Sequence, residues 1–178
     1  MNKHVLYTQI VLIFFLMTSV CSIGKAQVAT HTVCTEDKNM IIGETTLSQI
    51  EGNTEFWSEY LTNYASYTVD GKKLDEISNV LGNRKINIIA VIGTWCGDTK
   101  EQFPVLQKIF NNLNNSNISI RYIGVNRDKL AGETDVSSLE ILFIPTFIFY
   151  ENAQELGRIV ETPEGTMEEH IIKIVNKE

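Results

Sequence analysis

The chain has 178 residues, three cysteines and a formal net charge of −7. That length suits one domain around one core. The acidic balance, with no basic cluster, argues against nucleic acid as a partner, and no repeat or low-complexity block marks a solenoid or a disordered tract.

Residues 1–26 read as a secretory signal peptide. Lys3 and His4 precede an apolar run from Ile10 to Val20, and Gly24 and Ala26 are the small residues at the positions a signal peptidase reads. Cleavage before Gln27 removes Lys3 and Lys25 and no acid, so the net charge moves to −9. The run is short for a bilayer span. The expectation is an exported protein, periplasmic or in the cell envelope, with no transmembrane span after cleavage. A lipoprotein anchor on Cys21, in "TSVCS", is the alternative. Cys34 and Cys96 then remain. Exported chains often pair cysteines, but two cysteines in a sequence do not by themselves establish a bridge.

Residues 27–71 read as a leader followed by a helical extension. The stretch 27–44 is polar, an exposed leader or an edge strand. Thr45 or Thr46 can cap a helix start. Leu47, Ile50, Phe56, Trp57, Tyr60, Leu61 and Tyr64 then recur at helical spacing, with a break expected at "EGN" (51–53). These aromatics suit a core or a docking face better than a cofactor box. "VDGK" (69–72) reads as a turn, and Leu74, Ile77, Val80 and Leu81 as a short helix ending near Gly82.

The pattern then changes. "INIIAVIG" (86–93) is a near-continuous apolar run that suits a strand buried on both faces. Thr99 to Leu113 reads as a helix with Phe103, Leu106, Ile109, Phe110 and Leu113 on its apolar stripe and a kink at Pro104. "ISIRYIGV" (118–125) is a second strand, residues 126–143 a polar loop with at most a short helix, and "PTFIFY" (145–150) a third strand. "ENAQELG" (151–157) reads as a turn and "RIVE" (158–161) as a fourth strand. Thr162 and Pro163 are expected to open a last helix with Met167, Ile171, Ile174 and Val175 inward. Helices alternating with strands imply a parallel portion, and the short final connection an antiparallel pair at one side. The fold class is α/β, a mixed sheet with helices on both faces.

The chemistry centres on "GTWCGDTKEQFP" (93–104). Cys96 stands where a buried strand hands over to a helix. Unpaired backbone N–H groups and the positive end of the helix dipole there favour a thiolate over a thiol. Thr99, one turn on, is placed to donate a hydrogen bond to that thiolate, while Asp98 opposes a second negative charge. The net expectation is a reactive sulfur. A buried, inert cysteine is the competing reading from this corner alone. His31 and His170 stand far apart with no second ligand nearby, so neither metal nor other cofactor is expected.

"TWCGDT" after a buried strand, Pro104 within the following helix and "IPT" (144–146) opening a later strand together resemble the thioredoxin superfamily, over about residues 72–178. The resemblance implies a three-layer sandwich around a sheet of four to five strands. It also implies that Pro145 is cis and packs against the active-site sulfur, and that the backbone of Ile144 is free to pair with an extended substrate segment. Trp95, Gly97 and Asp98 would then line the substrate groove with Ile144 and Pro145. Two positions depart from the family pattern. Thr99 stands where a second cysteine is usual, and Ala90 stands where many members carry a buried acid.

The primary functional expectation is therefore a monothiol thiol–disulfide oxidoreductase. Cys96 attacks protein or small-molecule disulfides, and an external thiol donor completes the exchange. A non-redox module that uses the groove to hold a peptide or partner is the alternative. A cluster-binding monothiol protein is weaker, for want of supporting ligands. Cys34 is a possible distal thiol, against the plainer reading of an exposed, unpaired cysteine.

Overall fold

The computed structural model describes residues 39–176. The signal segment, Cys21, His31 and Cys34 lie outside the described residues.

The chain enters as a short edge strand, β1 (Gly43–Thr45), followed by α1 (Leu47–Glu51) and α2 (Thr54–Ser66). Thr46 caps α1 through a reciprocal capping box with Gln49. The break expected at 51–53 is present: Gly52 closes α1, and the Asn53 side chain caps α2 by accepting from Phe56 N at 3.1 Å. The "VDGK" turn is instead a helix start. The Asp70 carboxylate accepts from Lys72 N and Lys73 N, so Gly71 opens α3 (Gly71–Leu81).

Among the described residues, five strands form one mixed sheet in the order β1-β3-β2-β4-β5. The strand β2 (Ile86–Ile92) lies at its centre, parallel to β3 (Ile118–Gly124) and antiparallel to β4 (Thr146–Glu151). Beyond β4, β5 (Gln154–Val160) pairs antiparallel from residue 154, not 158. Asn152 and Ala153 both take positive φ, 49° and 65°, so a two-residue turn suffices and the strand starts early. The last helix, α5 (Met167–Val175), begins later than Thr162 and Pro163 suggested. Thr166 and Glu169 form its capping box, which places the start there.

The helix after β2, α4 (Gly97–Leu113), starts two residues before the expected Thr99, because Cys96 is already the N-cap and its carbonyl accepts from Lys100 N at 3.2 Å. The helix runs uninterrupted through Pro104. A proline there has no N–H to give to the carbonyl four residues back. That carbonyl, of Lys100, accepts instead from the Asn63 side-chain amide of α2 at 2.9 Å. The N-terminal helical extension thus satisfies the group that the helix proline leaves open.

The two faces of the sheet are covered differently. The even-numbered positions of β2 (Ile86, Ile88, Ala90, Ile92) and Phe147 and Phe149 of β4 join one apolar cluster with residues of all five helices. Phe103 of α4 sits at its centre, fully buried, with Phe56 and Tyr60 of α2 and the edge of Tyr122 around it. Full burial of such a ring is worth roughly 1.5–3 kcal/mol. The inner face of α5 is the expected one, Met167, Ile171, Ile174 and Val175. Leu61 of α2 points away from the core and is 50% exposed. On the other face, Val91, Ile123, Val125, Ala131 and Ile144 make a smaller cluster. Its cover is the 126–143 segment, whose helical content is a single 3-10 turn, Ser137–Leu139. The helical cover expected on both faces is therefore full on one and one turn on the other.

No helix among the described residues is long and apolar enough to cross a membrane.

Candidate active site

The site is built at the carboxyl end of β2. Gly93 and Thr94 leave the strand, Trp95 and Cys96 turn the chain, and Gly97 starts α4. Cys96 has extended backbone angles (φ −90°, ψ 129°) and its N–H donates to Gly93 O at 2.9 Å. Its side chain makes no cap hydrogen bond, which leaves the sulfur at the mouth of the helix. Cys96 is half-buried, against the edge of the smaller apolar cluster.

Across from it, the Ile144–Pro145 peptide is cis, and both residues are buried. The Cys96 thiol donates to the Ile144 carbonyl, with Sγ to O at 3.2 Å. This is the contact that brings the two distant motifs together. Thr146 Oγ1 donates to Phe143 O at 2.7 Å, and Glu161 N donates to Pro145 O at 2.8 Å, so carbonyls on both sides of Ile144 are engaged.

Thr99 does not do what its spacing suggested. It is fully buried, and its Oγ1 accepts from Gly93 N at 3.3 Å. Its hydrogen bond ties the strand end to the helix, and the sulfur's partner is Ile144 O instead. The side chain of residue 99 points inward because the helix starts at Gly97, which turns it onto the sheet side. Gly97 is exposed and Asp98 half-buried in the first turn. Ala90 is fully buried among apolar side chains, opposite Tyr122 and Phe147 in the sheet. The hydroxyl of Tyr122, its partner on β3, is in a neutral pair: Gln107 Nε2 donates to Tyr122 Oη at 3.1 Å. Burial raises the Tyr122 pKa above its ordinary value.

Trp95 is half-buried and anchored. Its indole Nε1 donates to Val125 O at 2.8 Å, and the Arg127 guanidinium lies 5.0 Å from the ring centroid. A Cβ at Gly93 would meet the indole at 2.7 Å, so residue 93 must be small for the ring to lie there. Trp95 also edges a cleft of about 200 Å³ shared with Asn39, Met40, Thr94, Lys100 and Arg127.

Three contributors were not evident from the spacing of motifs. Leu142 and Phe143 directly precede Ile144 and are 72% and 52% exposed. An apolar pair running into a proline was the available signal, in a segment otherwise polar. Thr94 is the third: buried, it donates to Asn39 O and accepts from Ile41 N, each at 3.3 Å. Nothing in the sequence pairs residue 94 with 39. Among the described residues, no group of three or more His, Cys, Asp or Glu could hold a metal ion.

A family model described as Thioredoxin matches residues 43–174. The chain is 28% identical over 87 residues to a thioredoxin of Malassezia sympodialis, covering 48% of this chain and 78% of that one. It is 29% identical over 104 residues to a putative thioredoxin-5 of Dictyostelium discoideum, covering 58% and 95%. A solved Pseudomonas aeruginosa protein of unknown function matches the fold with a TM-score of 0.55 at 18% identity, over 76% of this chain and 90% of that one. With the strand-to-helix cysteine, the facing proline loop and this match across most of its length, the chain belongs to the thioredoxin family, and at that level its function is thioredoxin-like redox chemistry.

Proposed function

We propose that the protein is a thiol–disulfide oxidoreductase whose attacking group is Cys96. The observation that carries this reading is the position of the sulfur. It lies half-exposed at the N-cap of α4, 3.2 Å from the carbonyl that precedes Pro145, with exposed Leu142 and Phe143 alongside.

In the reaction, the Cys96 thiolate attacks one sulfur of a substrate disulfide. A new S–S bond joins Cys96 to that sulfur, the old S–S bond breaks, and the other sulfur leaves as a thiolate that takes up a proton. Thr99 offers no sulfur, so the mixed disulfide is resolved by a thiol from outside the 96–99 motif. Its attack on Cys96 Sγ releases the substrate's second thiol. The substrates are disulfides or mixed disulfides of exported proteins, given the signal-like residues 1–26, which also favour a periplasmic or envelope location.

Trapping tests the reading. Cells expressing the protein are quenched in acid, alkylated and resolved without reductant. Mixed disulfides that dissolve on reduction are expected with the parent chain and absent with Cys96→Ser. A parent chain that forms none would sink the proposal. The exposed Leu142–Phe143 pair favours a second reading, a module that holds partners without redox chemistry. Under it, Cys96→Ser and the parent chain retain the same partners non-covalently.

A further inference from the structure

We propose that the groove framed by residues 126–142 is the docking surface for the substrate protein, and that it takes a segment in which an apolar side chain is flanked by lysine or arginine. The proposal rests on the role given to Cys96 above and names the class of protein segment that reaches it.

The groove opens on the thin face of the sheet and has a volume of about 690 Å³. Ile42, Leu130, Val136, Ile141 and Leu142 supply its apolar lining. Leu130 is 60% exposed and Leu142 72%. Two exposed leucines on one groove make a patch, where singly scattered ones would need no explanation. The walls are preformed. Asn126 closes the first turn: its N–H donates to Leu130 O at 3.0 Å, and its side chain accepts from Leu130 N at 2.8 Å. Thr134 Oγ1 accepts from Glu44 N of β1 at 3.2 Å, and the Arg158 guanidinium of β5 donates to Leu139 O at 2.8 Å. The segment is thus fastened to both edge strands of the sheet. Leucines held outward on a fastened backbone lose little freedom when a partner covers them.

The groove is continuous with the reacting corner. Leu142 and exposed Phe143 lead directly to Ile144, whose carbonyl accepts from Cys96 Sγ at 3.2 Å. Val136 and Ile141, which line the groove, pack with Cys96 against the same small apolar cluster. A substrate segment lying over Leu130 and Leu142 therefore continues past Phe143 to the sulfur.

Charge selects the occupant. Asp128, Glu133, Asp135 and Glu140 line the groove against one cation, Lys129, a balance of −3. All four acids are exposed. Asp135 Oδ1 accepts from Ser137 N at 2.9 Å, and hydrogen bonds from Ser137 hold its carboxyl below the ordinary aspartate value, so it is charged at neutral pH. An apolar floor under an acidic rim is complementary to an aliphatic side chain set between cations. A second copy of this chain, with its net charge of −7, is repelled by the same rim.

The test uses the reduced full chain and short synthetic peptides whose single cysteine is a mixed disulfide with thionitrobenzoate. One peptide carries leucine between two lysines, a second leucine between two glutamates, a third serine between two lysines. The Cys96 thiolate attacks the peptide sulfur, the new S–S bond forms, and thionitrobenzoate leaves with the electron pair of the old one. Its release is followed with the Cys96→Ser chain as blank, and each rate is divided by that of the mercaptoethanol–thionitrobenzoate disulfide. The leucine–lysine peptide is expected to react about tenfold faster than the leucine–glutamate peptide at low ionic strength, with the gap closing at high salt. It should also outpace the serine–lysine peptide severalfold, and Leu130→Ser should remove that advantage. Combined Glu133→Gln, Asp135→Asn and Glu140→Gln should abolish the preference for lysine. Combined Asp75→Asn, Glu76→Gln and Glu164→Gln removes as much charge outside the groove and should preserve it. Equal rates for the three peptides, or the same loss of preference in both triple variants, overturn the proposal while leaving Cys96 as nucleophile. So does a doubled mass in light scattering that Leu130→Ser returns to a monomer, since a second copy would then cover the groove. If no disulfide releases thionitrobenzoate faster than the blank, the functional reading itself fails and this one falls with it.

Discussion

The two faces of the sheet divide the work of this molecule. On one face, five helices close over β2 and β4, and the largest buried rings, Phe56, Phe103, Phe147 and Phe149, all lie there. On the other, a loop with one 3-10 turn covers a handful of aliphatic side chains, and the Cys96 sulfur rests at the margin of that smaller cluster. A thick face can hold the fold while a thin one exposes chemistry. A loop-covered face also has fewer apolar contacts to lose when a partner approaches.

That division can be broken most severely at Phe103. Phe103→Ala should lower unfolding stability by about 3–5 kcal/mol, since it removes a fully buried ring that three aromatic neighbours contact. Urea denaturation measures it, and a loss below ~1 kcal/mol would contradict the assignment of stability to the helical face.

The join between the extension and α4 comes next. Asn63→Ala leaves the Lys100 carbonyl without its partner at the Pro104 position and should cost ~1 kcal/mol or somewhat more. In a Pro104→Ala background the restored N–H can serve that carbonyl, so the cost of Asn63→Ala should shrink. A double-mutant cycle reads the coupling, and additivity would refute the proposed link.

Acid acts more weakly, at the periphery. Arg84 donates to both oxygens of Glu151, at 2.9 and 2.7 Å, and holds its carboxyl below the ordinary glutamate value of 4.5. Lys73 does the same for Glu169, and Arg121 for Glu44. A carboxylate whose pKa is depressed on folding stabilises above its unfolded value, and that stability is lost as pH falls through the folded value. Melting temperature should therefore hold from neutral pH to about 4.5 and drop below it. Arg84→Met should flatten part of that drop, and an unchanged acid profile would remove Arg84–Glu151 from the account.

The smallest effect on stability belongs to the thin face. Leu142→Ser and Phe143→Ser should each change stability by no more than ~0.5 kcal/mol, because both side chains are exposed. They should nonetheless lower the yield of Cys96 mixed disulfides with protein substrates and leave small disulfides unaffected. A large stability loss would mean the pair belongs to the core, and an equal yield would remove it from the groove.

Much of the helical face was legible in the chain, because periodicity is a local property that burial merely reads out. The apolar run of β2, the apolar stripe of α4 and the inward residues of α5 all follow from residue type and spacing. Boundaries were less so. Gln154 joins β5 because two residues of positive φ make a tight turn, and α5 waits for the Thr166–Glu169 box. Both depend on which of several capable residues the backbone selects.

The sequence by itself determined the family pattern: a cysteine at a strand-to-helix corner, a proline in the helix beyond it, and a second proline opening a later strand. These are short-range signals, carried by residue type and interval. Only the tertiary structure decided what each polar atom does. Thr99 turns to Gly93 N, Lys100 O finds Asn63, and Cys96 Sγ meets Ile144 O across 48 residues. Hydrogen bonds depend on direction at a scale of tenths of an ångström, and the packing of distant segments sets that direction. The same packing brings Asn39 beside Thr94.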